Sequence, residues 1–228
     1  MLINADNLAK IRSAHILVAG LGGVGAFAAE MLCRAGVGKM TVVDGDVVQP
    51  SNRNRQLLAL RSSEGRLKTE AMAERLLDIN PDLQLETVSE FVCSERLTEI
   101  VSRPFDYIVD AIDTLSPKTY LLYRALKNNQ RVVSSMGAGG KVDPLQIRVD
   151  DLTNTHNCRL AYNLRKRLRK LGVTTGIQAV FSTEQTDKSL VTLCDEQNKK
   201  SVVGTISYMP AMFGCVCASV AIRGMMGE

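Results

Sequence analysis

Histidine is scarce in this chain: 228 residues include only His15 and His156. That scarcity comes close to excluding chemistry built on several imidazoles, such as a multi-histidine zinc site. The six cysteines, Cys33, Cys93, Cys158, Cys194, Cys215 and Cys217, form no CxxC pair. With no signal peptide in view, they are expected to be reduced thiols in a cytoplasm rather than a disulfide framework. Long uncharged runs are also rare. The one present, Ser201 to Ile222, contains Gly204, Pro210 and Gly214, and reads as a buried strand followed by a packed helix rather than a membrane span. No Pro/Gly/Ser linker and no internal repeat divides the chain, so a single domain is expected.

What is present is ordinary for a globular protein, with 45% hydrophobic and 23% charged residues and enough length to bury a sizeable core. The net charge of +4 is unevenly placed. Thr155 to Gly172 holds six Lys/Arg and no carboxylate; the remainder has 22 Lys/Arg against 24 Asp/Glu, a net −2. One local segment supplies the whole positive balance, a footprint for an anionic partner.

Strand and helix patterns alternate from the start. His15 to Ala19 is a short apolar run, followed by a glycine cluster and a helix from about Val24 to Ala35. Met40 to Val43 reads as the second strand. Leu67, Ala71, Leu76 and Ile79 mark a helix that stops at Asn80-Pro81. Leu83 to Val88, Tyr107 to Val109 and Val132 to Ser135 read as strands. A helix begins at Pro117 with Ser116 as its N-cap. Further on, Gln146 to Val149 and Ala179 to Ser182 read as strands, Cys158 to Leu171 as a basic helix, and Thr186 to Lys200 as a polar mobile loop. Short strands alternating with helices imply right-handed crossovers, hence an α/β fold with a doubly wound, mostly parallel sheet, helices on both faces and a C-terminal α/β extension.

Gly20-Leu21-Gly22-Gly23-Val24-Gly25 sits where the first strand ends and a helix begins. Glycines there let backbone N–H groups approach a phosphate, and the helix dipole favours its charge. Asp44, ending the second strand, stands where a ribose-binding carboxylate belongs. To this point NAD, FAD and ATP fit equally, and a ligand-free tight turn competes with all three.

The following residues separate them. Asp44-Gly45-Asp46 is succeeded by Asn52-Arg53-Asn54-Arg55-Gln56, by Lys68 at a helix start, and by Asp113 after a strand. In this order and spacing the chain resembles the ThiF/MoeB/HesA family of ubiquitin-activating-enzyme-like adenylating enzymes. The resemblance implies an ATP site made by Gly20, Gly22, Gly23, Gly25, Asp44, Asp46 and Asn52, with Arg55, Lys68 and Asp113 as its catalytic residues. The chemistry fits: attack at the α-phosphorus builds charge on departing pyrophosphate, which Arg55 meets as a planar fork and Lys68 as a point charge. Asn52 donates to a phosphate oxygen without adding charge, and Asp113 suits Mg²⁺, an oxygen-seeking ion carried in with ATP. Taken singly, Lys68 could be a solvated helix residue and Arg55 could pair with Glu64 or Glu70. Tyr123 and Lys127 have the spacing of a short-chain dehydrogenase pair, but their helix carries Leu122 and Leu126 as packing positions, and the pair is read as structural.

Sulfur-carrier activators of this family resemble one another in two CxxC pairs for structural zinc, which this chain lacks; Cys215 and Cys217 lie in the apolar run, where cysteine acts as a small hydrophobe. The second half is similar instead to the tRNA threonylcarbamoyladenosine dehydratase branch, through Ser135 to Pro144, Gln146-Ile147, Leu164 to Arg169, Val180 to Glu184 and Asp110 to Lys118. That resemblance implies ATP-dependent cyclisation of threonylcarbamoyladenosine beside the tRNA anticodon through an acyl-adenylate. It also implies a nucleotide half of about 1–140, a substrate and RNA half of about 141–228, and a homodimer. The helix carrying Arg165, Lys166, Arg167, Arg169 and Lys170 is then expected to contact tRNA phosphates, with Leu160, Leu164, Leu168 and Leu171 as its packed stripe. The modified adenosine is expected beside Gly137 to Lys141. The alternative is activation of a ubiquitin-like or sulfur-carrier C-terminus, with that carrier or a sulfur-transfer protein as partner and Cys158 or Cys194 forming a thioester; a binding module without turnover is a third reading. Family members usually begin further upstream with an arginine that reaches the partner subunit's phosphates; Arg12 is the nearest candidate here, and the role is not carried over to it.

Overall fold

The computed structural model describes residues 3–91, 94–186, 191–196 and 199–227. Helix α1 (Ala5–Ser13) precedes β1 (His15–Ala19), and the glycine turn leads into α2 (Gly25–Arg34). β2 (Lys39–Val43), α3 (Lys68–Ile79), β3 (Gln84–Val88), α4 (Ser94–Ser102), β4 (Tyr107–Asp110), α5 (Leu115–Lys127) and β5 (Val132–Ser135) follow. β6 (Ile147–Asp151), α6 (Arg159–Lys170), β7 (Gln178–Ser182), the strands β8 (Val191–Glu196) and β9 (Lys199–Val203), and α7 (Tyr208–Met226) complete the chain.

Seven strands form one sheet in the order β3-β2-β1-β4-β5-β7-β6, parallel throughout except for β6, which runs antiparallel to β7. Successive strands move outward from β1 in one direction and then outward from β4 in the other. The crevice between β1 and β4 is therefore the switch point at which doubly wound sheets bind ligands. Alternation along each strand feeds two cores. Ile16, Val18, Met40, Val42, Val109 and Val133 face α1, α2, α3 and α7, while Leu17, Ala19, Val43, Ile108 and Ala179 face α4, α5 and α6.

α7 is the one helix among the described residues long and apolar enough to cross a membrane by length and composition. Here it packs against α2, α1 and the sheet, burying Met209, Phe213, Cys217, Ala218 and Ala221. A Cβ at Gly214 would lie 2.4 Å from the Val24 carbonyl oxygen, which shows how closely it sits on the start of α2.

The structure departs from the sequence pattern in three places. α5 starts at Leu115 with Thr114 at its N-cap, not at Pro117 after Ser116. Pro117 still falls in the first turn, where a missing N–H costs no helical bond. Val191–Glu196, within the stretch expected as a loop, pairs as an antiparallel hairpin with Lys199–Val203, which begins in that stretch and runs into the strand expected from Ser201. The alternating Val191-Thr192-Leu193 run satisfies a strand period that the polar composition obscured; residues 187–190 and 197–198 lie outside the described residues. In α6 the packed stripe is Ala161, Leu164 and Leu168, with Leu160 half-buried and Leu171 exposed beyond the helix end.

Candidate active site at the glycine turn

The end of β1 can pass tightly into α2 because two positions exclude a side chain. Gly20 has φ +90°, and a Cβ on it would meet the Ala111 carbonyl oxygen at 2.9 Å; a Cβ on Gly25 would meet the Gly20 carbonyl oxygen at 1.7 Å. Gly22 and Gly23 face the loop that follows β2. A Cβ on Gly23 would lie 3.2 Å from the Arg55 carbonyl oxygen, and one on Gly22 would lie 3.9 Å from Gln56 Nε2. Arg55 and Gln56, at the end of the motif, therefore lie against the glycine turn.

Their convergence comes from the loop between β2 and α3. Val47 bridges Leu67, Val48 N–H donates to the Arg66 carbonyl, and Lys68 N–H donates to the Asp46 carbonyl at 3.0 Å. Closing the loop in this way returns Lys68, at the first position of α3, to the end of β2. Lys68 is only 3% exposed. Lys68 Nζ lies 2.6 Å from Asp46 Oδ2 and 3.8 Å from Asp44 Oδ1. Asp44 accepts the Leu21 N–H at 2.6 Å and the Asp46 N–H at 2.8 Å, which fixes the carboxylate against the glycine turn. Burial raises the Asp44 carboxyl above its ordinary value, with Lys68 and the two backbone donors opposing the shift. Lys68 and Asp44 thus form a preset charge pair at the C-terminal end of β2.

Asn52 is 8% exposed, and its Oδ1 accepts the Gln49 N–H at 3.2 Å, leaving its Nδ2 donors for another acceptor. Arg55 is half-buried; its guanidinium donates to the Ser51 carbonyl at 3.1 Å and to Asn54 Oδ1 at 2.9 Å, so it pairs with neither Glu64 nor Glu70. Arg53 takes Glu64 instead. Asp113 is exposed, on the segment whose preceding residues, Ala111 and Ile112, press against Gly20. Among the described residues no three His, Cys, Asp or Glu side chains group as a metal site. Of the residues sequence reasoning brought to this site, the structure gathers the four glycines, Asp44, Asp46, Asn52, Arg55 and Lys68 around one turn, with Asp113 at its rim.

Two features escaped the sequence. Gln56 Oε1 is buried without a hydrogen-bond partner beside Gly22, a polar atom that a ligand in the turn could satisfy. Its signal was its place at the end of the Asn52 to Gln56 motif. Below the turn, Lys118 and Asp110 form a fully buried ion pair at 2.7 Å, with Ser134 Oγ donating to Asp110 at 2.6 Å and Lys118 Nζ donating to the Ile112 carbonyl at 3.0 Å. This pair stiffens the Ala111-Ile112 bend that carries Asp113.

The residues expected around the substrate lie at the same edge of the sheet, beyond β5. Lys141 is buried; its ammonium donates to the carbonyls of Asn157 and Glu184, and burial lowers its affinity for the proton. A Cβ on Gly137 would lie 3.6 Å from Cys158 Sγ, and Gly140 N–H donates to the Gly204 carbonyl at 2.8 Å. Cys158 caps α6, its Sγ accepting the Ala161 N–H at 3.5 Å. Within α6 the cations divide. Arg165 is half-buried and donates to the Thr155 carbonyl at 2.8 Å and to Thr155 Oγ1, so it clamps the preceding segment to the helix. Arg167 is exposed but donates to Ser116 Oγ at 2.7 Å, which is the use the structure makes of Ser116. Lys166, Arg169 and Lys170 are exposed. Cys217 is fully buried and its thiol is pushed up to about 12 by that burial; burial also raises the Cys215 thiol. Both behave as small hydrophobes. The side chain of Cys194 lies outside the described residues. Tyr123 and Lys127 meet each other, ring centroid to Nζ 5.7 Å, on α5.

The family model that matches this chain, over residues 1–228, is that of the ThiF family. The chain belongs to the ThiF family. Among ThiF-family relatives, the tRNA threonylcarbamoyladenosine dehydratase of Escherichia coli is 39% identical over 233 residues, covering 94% of this chain and 87% of that protein. The tRNA threonylcarbamoyladenosine dehydratase of Bacillus subtilis is 39% identical over 184 residues, 81% and 72% of the two chains. A crystal structure of the Escherichia coli dehydratase in complex with ATP matches with TM-score 0.91 and 38% identity, over 99% of this chain and 91% of that one. The likeness runs through the ThiF-type glycine turn and through the region after residue 140 alike.

Proposed function

We propose that this ThiF-family chain is an ATP-dependent tRNA threonylcarbamoyladenosine dehydratase. The observation that carries the reading is end-to-end likeness to dehydratases at 38–39% identity, including one solved with ATP. The site supports it. The backbone of Gly20 to Gly25 cradles phosphates, Asp44 accepts from ribose hydroxyls, and Asn52 Nδ2 and Gln56 Oε1 supply a donor and an acceptor nearby. Mg²⁺ would enter with the triphosphate, with Asp113 as its protein ligand, and would neutralise phosphate charge.

The reaction follows from the substrate's chemistry. The threonine carboxylate attacks the α-phosphorus, an α-phosphorus–oxygen bond breaks, and pyrophosphate leaves; Lys68 and Arg55 stabilise the charge that collects on it. Lys68 exchanges part of its pairing with Asp46 for phosphate contact. A nucleophile of the same modified base then attacks the acyl carbon, loses its proton and expels AMP. Because that nucleophile is tethered, proximity supplies much of the second step and no enzyme thiol is required. A cytoplasmic location, a homodimer and tRNA held by the outer face of α6 belong to the same proposal, with residues up to about 140 serving the nucleotide and those beyond serving the RNA.

The test is AMP release from ATP with tRNA bearing the threonylcarbamoyl group, with tRNA lacking it, and with a carrier protein ending in Gly-Gly. Release with the first tRNA alone is expected. Release with the carrier alone would transfer the chain to the carrier-activating branch of the family, against the absence of both CxxC zinc pairs.

A further inference from the structure

The outer face of α6 carries more than charge. Tyr162 is 59% exposed, on the stripe that holds Lys166 four residues later and Arg169 seven residues later, with Arg159 three residues before. Arg159, Lys166, Arg169 and Lys170 are all exposed, and among the described residues none of these four side chains, nor that of Tyr162, has a hydrogen bond, ion pair or ring contact. Aromatic residues make up only 4% of the chain. The ring therefore stands free in the middle of an unpaired cationic face, within two helical turns of Cys158, which abuts Gly137 at the edge of the site.

We infer that Tyr162 is a stacking platform for an unpaired nucleobase of the RNA, so that α6 binds a single-stranded loop rather than a duplex. The inference rests on the RNA reading of α6 and adds to it which form of RNA the helix takes. Cations alone suffice to hold phosphates, and they do so on any strand. An exposed aromatic ring among them serves a different purpose, because it can pair only with a base face that is not already stacked in a helix. Drawing one adenosine out of a loop toward the glycine turn removes a stacking partner from its neighbour. Tyr162 replaces that partner, while Lys166 and Arg159 on either side meet the phosphates flanking the stacked base.

The chain contains no tryptophan, so Tyr162→Trp introduces a lone reporter whose emission a stacked base quenches. The probes are an anticodon stem-loop RNA and a blunt RNA duplex of the same stem. Tyr162→Leu is expected to weaken stem-loop binding about tenfold while leaving duplex binding and its salt dependence unchanged. Tyr162→Trp is expected to bind the stem-loop as the parent does, with quenching by the stem-loop and none by the duplex. Equal effects of Tyr162→Leu on both RNAs, no effect on either, or an unquenched indole in the stem-loop complex would overturn the stacking role. The Lys166→Glu, Arg169→Glu variant separates the two levels. If it leaves both RNAs bound as before, the RNA reading of α6 fails together with the stacking; if it weakens both while Tyr162→Leu weakens neither, only the stacking fails.

Discussion

The glycine turn and helix α6 present charge in opposite ways. At the turn, Lys68 is buried against Asp46 and Asp44, and Asp44 is fixed by two backbone N–H groups. On α6 the outward cations Lys166, Arg169 and Lys170 have no intramolecular partner among the described residues. The first arrangement gives preorganisation: charges are aimed before a ligand arrives, and little is left to order when it does. The second gives reach and salt-sensitive attraction at the cost of ordering long side chains on binding. A small nucleotide with fixed geometry suits the first, and a large flexible polyanion suits the second.

That contrast can be broken by variants that act on one side only. The largest effect is expected from Lys68→Ala: turnover falls by about 10²–10³, as for loss of one preorganised charge-stabilising group, while RNA affinity measured by filter binding stays unchanged. Parallel loss of RNA binding would show the two regions to be one site. Gly25→Val comes next. Its Cβ would occupy space 1.7 Å from the Gly20 carbonyl oxygen, so the turn must open; ATP affinity by calorimetry is expected to drop about a hundredfold, with roughly 2–3 kcal/mol lost from folding stability by denaturant titration. Preserved ATP affinity would detach the turn from the nucleotide.

Reversing charge at Lys166 and Arg169 together is expected to weaken tRNA binding about tenfold and to lower the slope of log affinity against log salt by about two, with ATP affinity as before. The smallest effect is a pH dependence confined to the turn. Because burial raises the Asp44 carboxyl above 3.8, its neutral form, which is a poorer acceptor for ribose hydroxyls, becomes populated at higher pH than for an exposed aspartate. ATP affinity is therefore expected to decline on acidification from above 3.8, to be flat in Asp44→Asn over the same range, and to leave the Lys and Arg contacts of α6 untouched. The same decline in both proteins would move the titrating group elsewhere.

Much of this architecture was legible because local chemistry and global fold agree. A glycine cluster between an apolar run and a helical pattern specifies β1, the turn and α2 together, and Asn80-Pro81 ends α3 where no helix could continue. The residues proposed to hold ATP formed a family pattern in the sequence, yet the loop closure that buries Lys68 was not legible, since the Val47 to Leu67 bridge pairs positions without a local signal. The Asp110–Lys118 pair was hidden for a similar reason: hydropathy places charges outside, and only the assembled sheet shows that both are enclosed. Arg165 belonged to a charge run in sequence, but its carbonyl partner at Thr155 is ten residues away and meets it only once the chain folds back. Strand β8 and its pairing with β9 went unread because polar residues masked the alternation, whereas the apolar run from Ser201 marked the end of β9 as a strand.

The most direct measurement is mass analysis of tRNA nucleosides alongside AMP released in the same reaction. The account predicts one threonylcarbamoyladenosine converted to its cyclic form, one water lighter, for each AMP. AMP release with the nucleoside unchanged would contradict it.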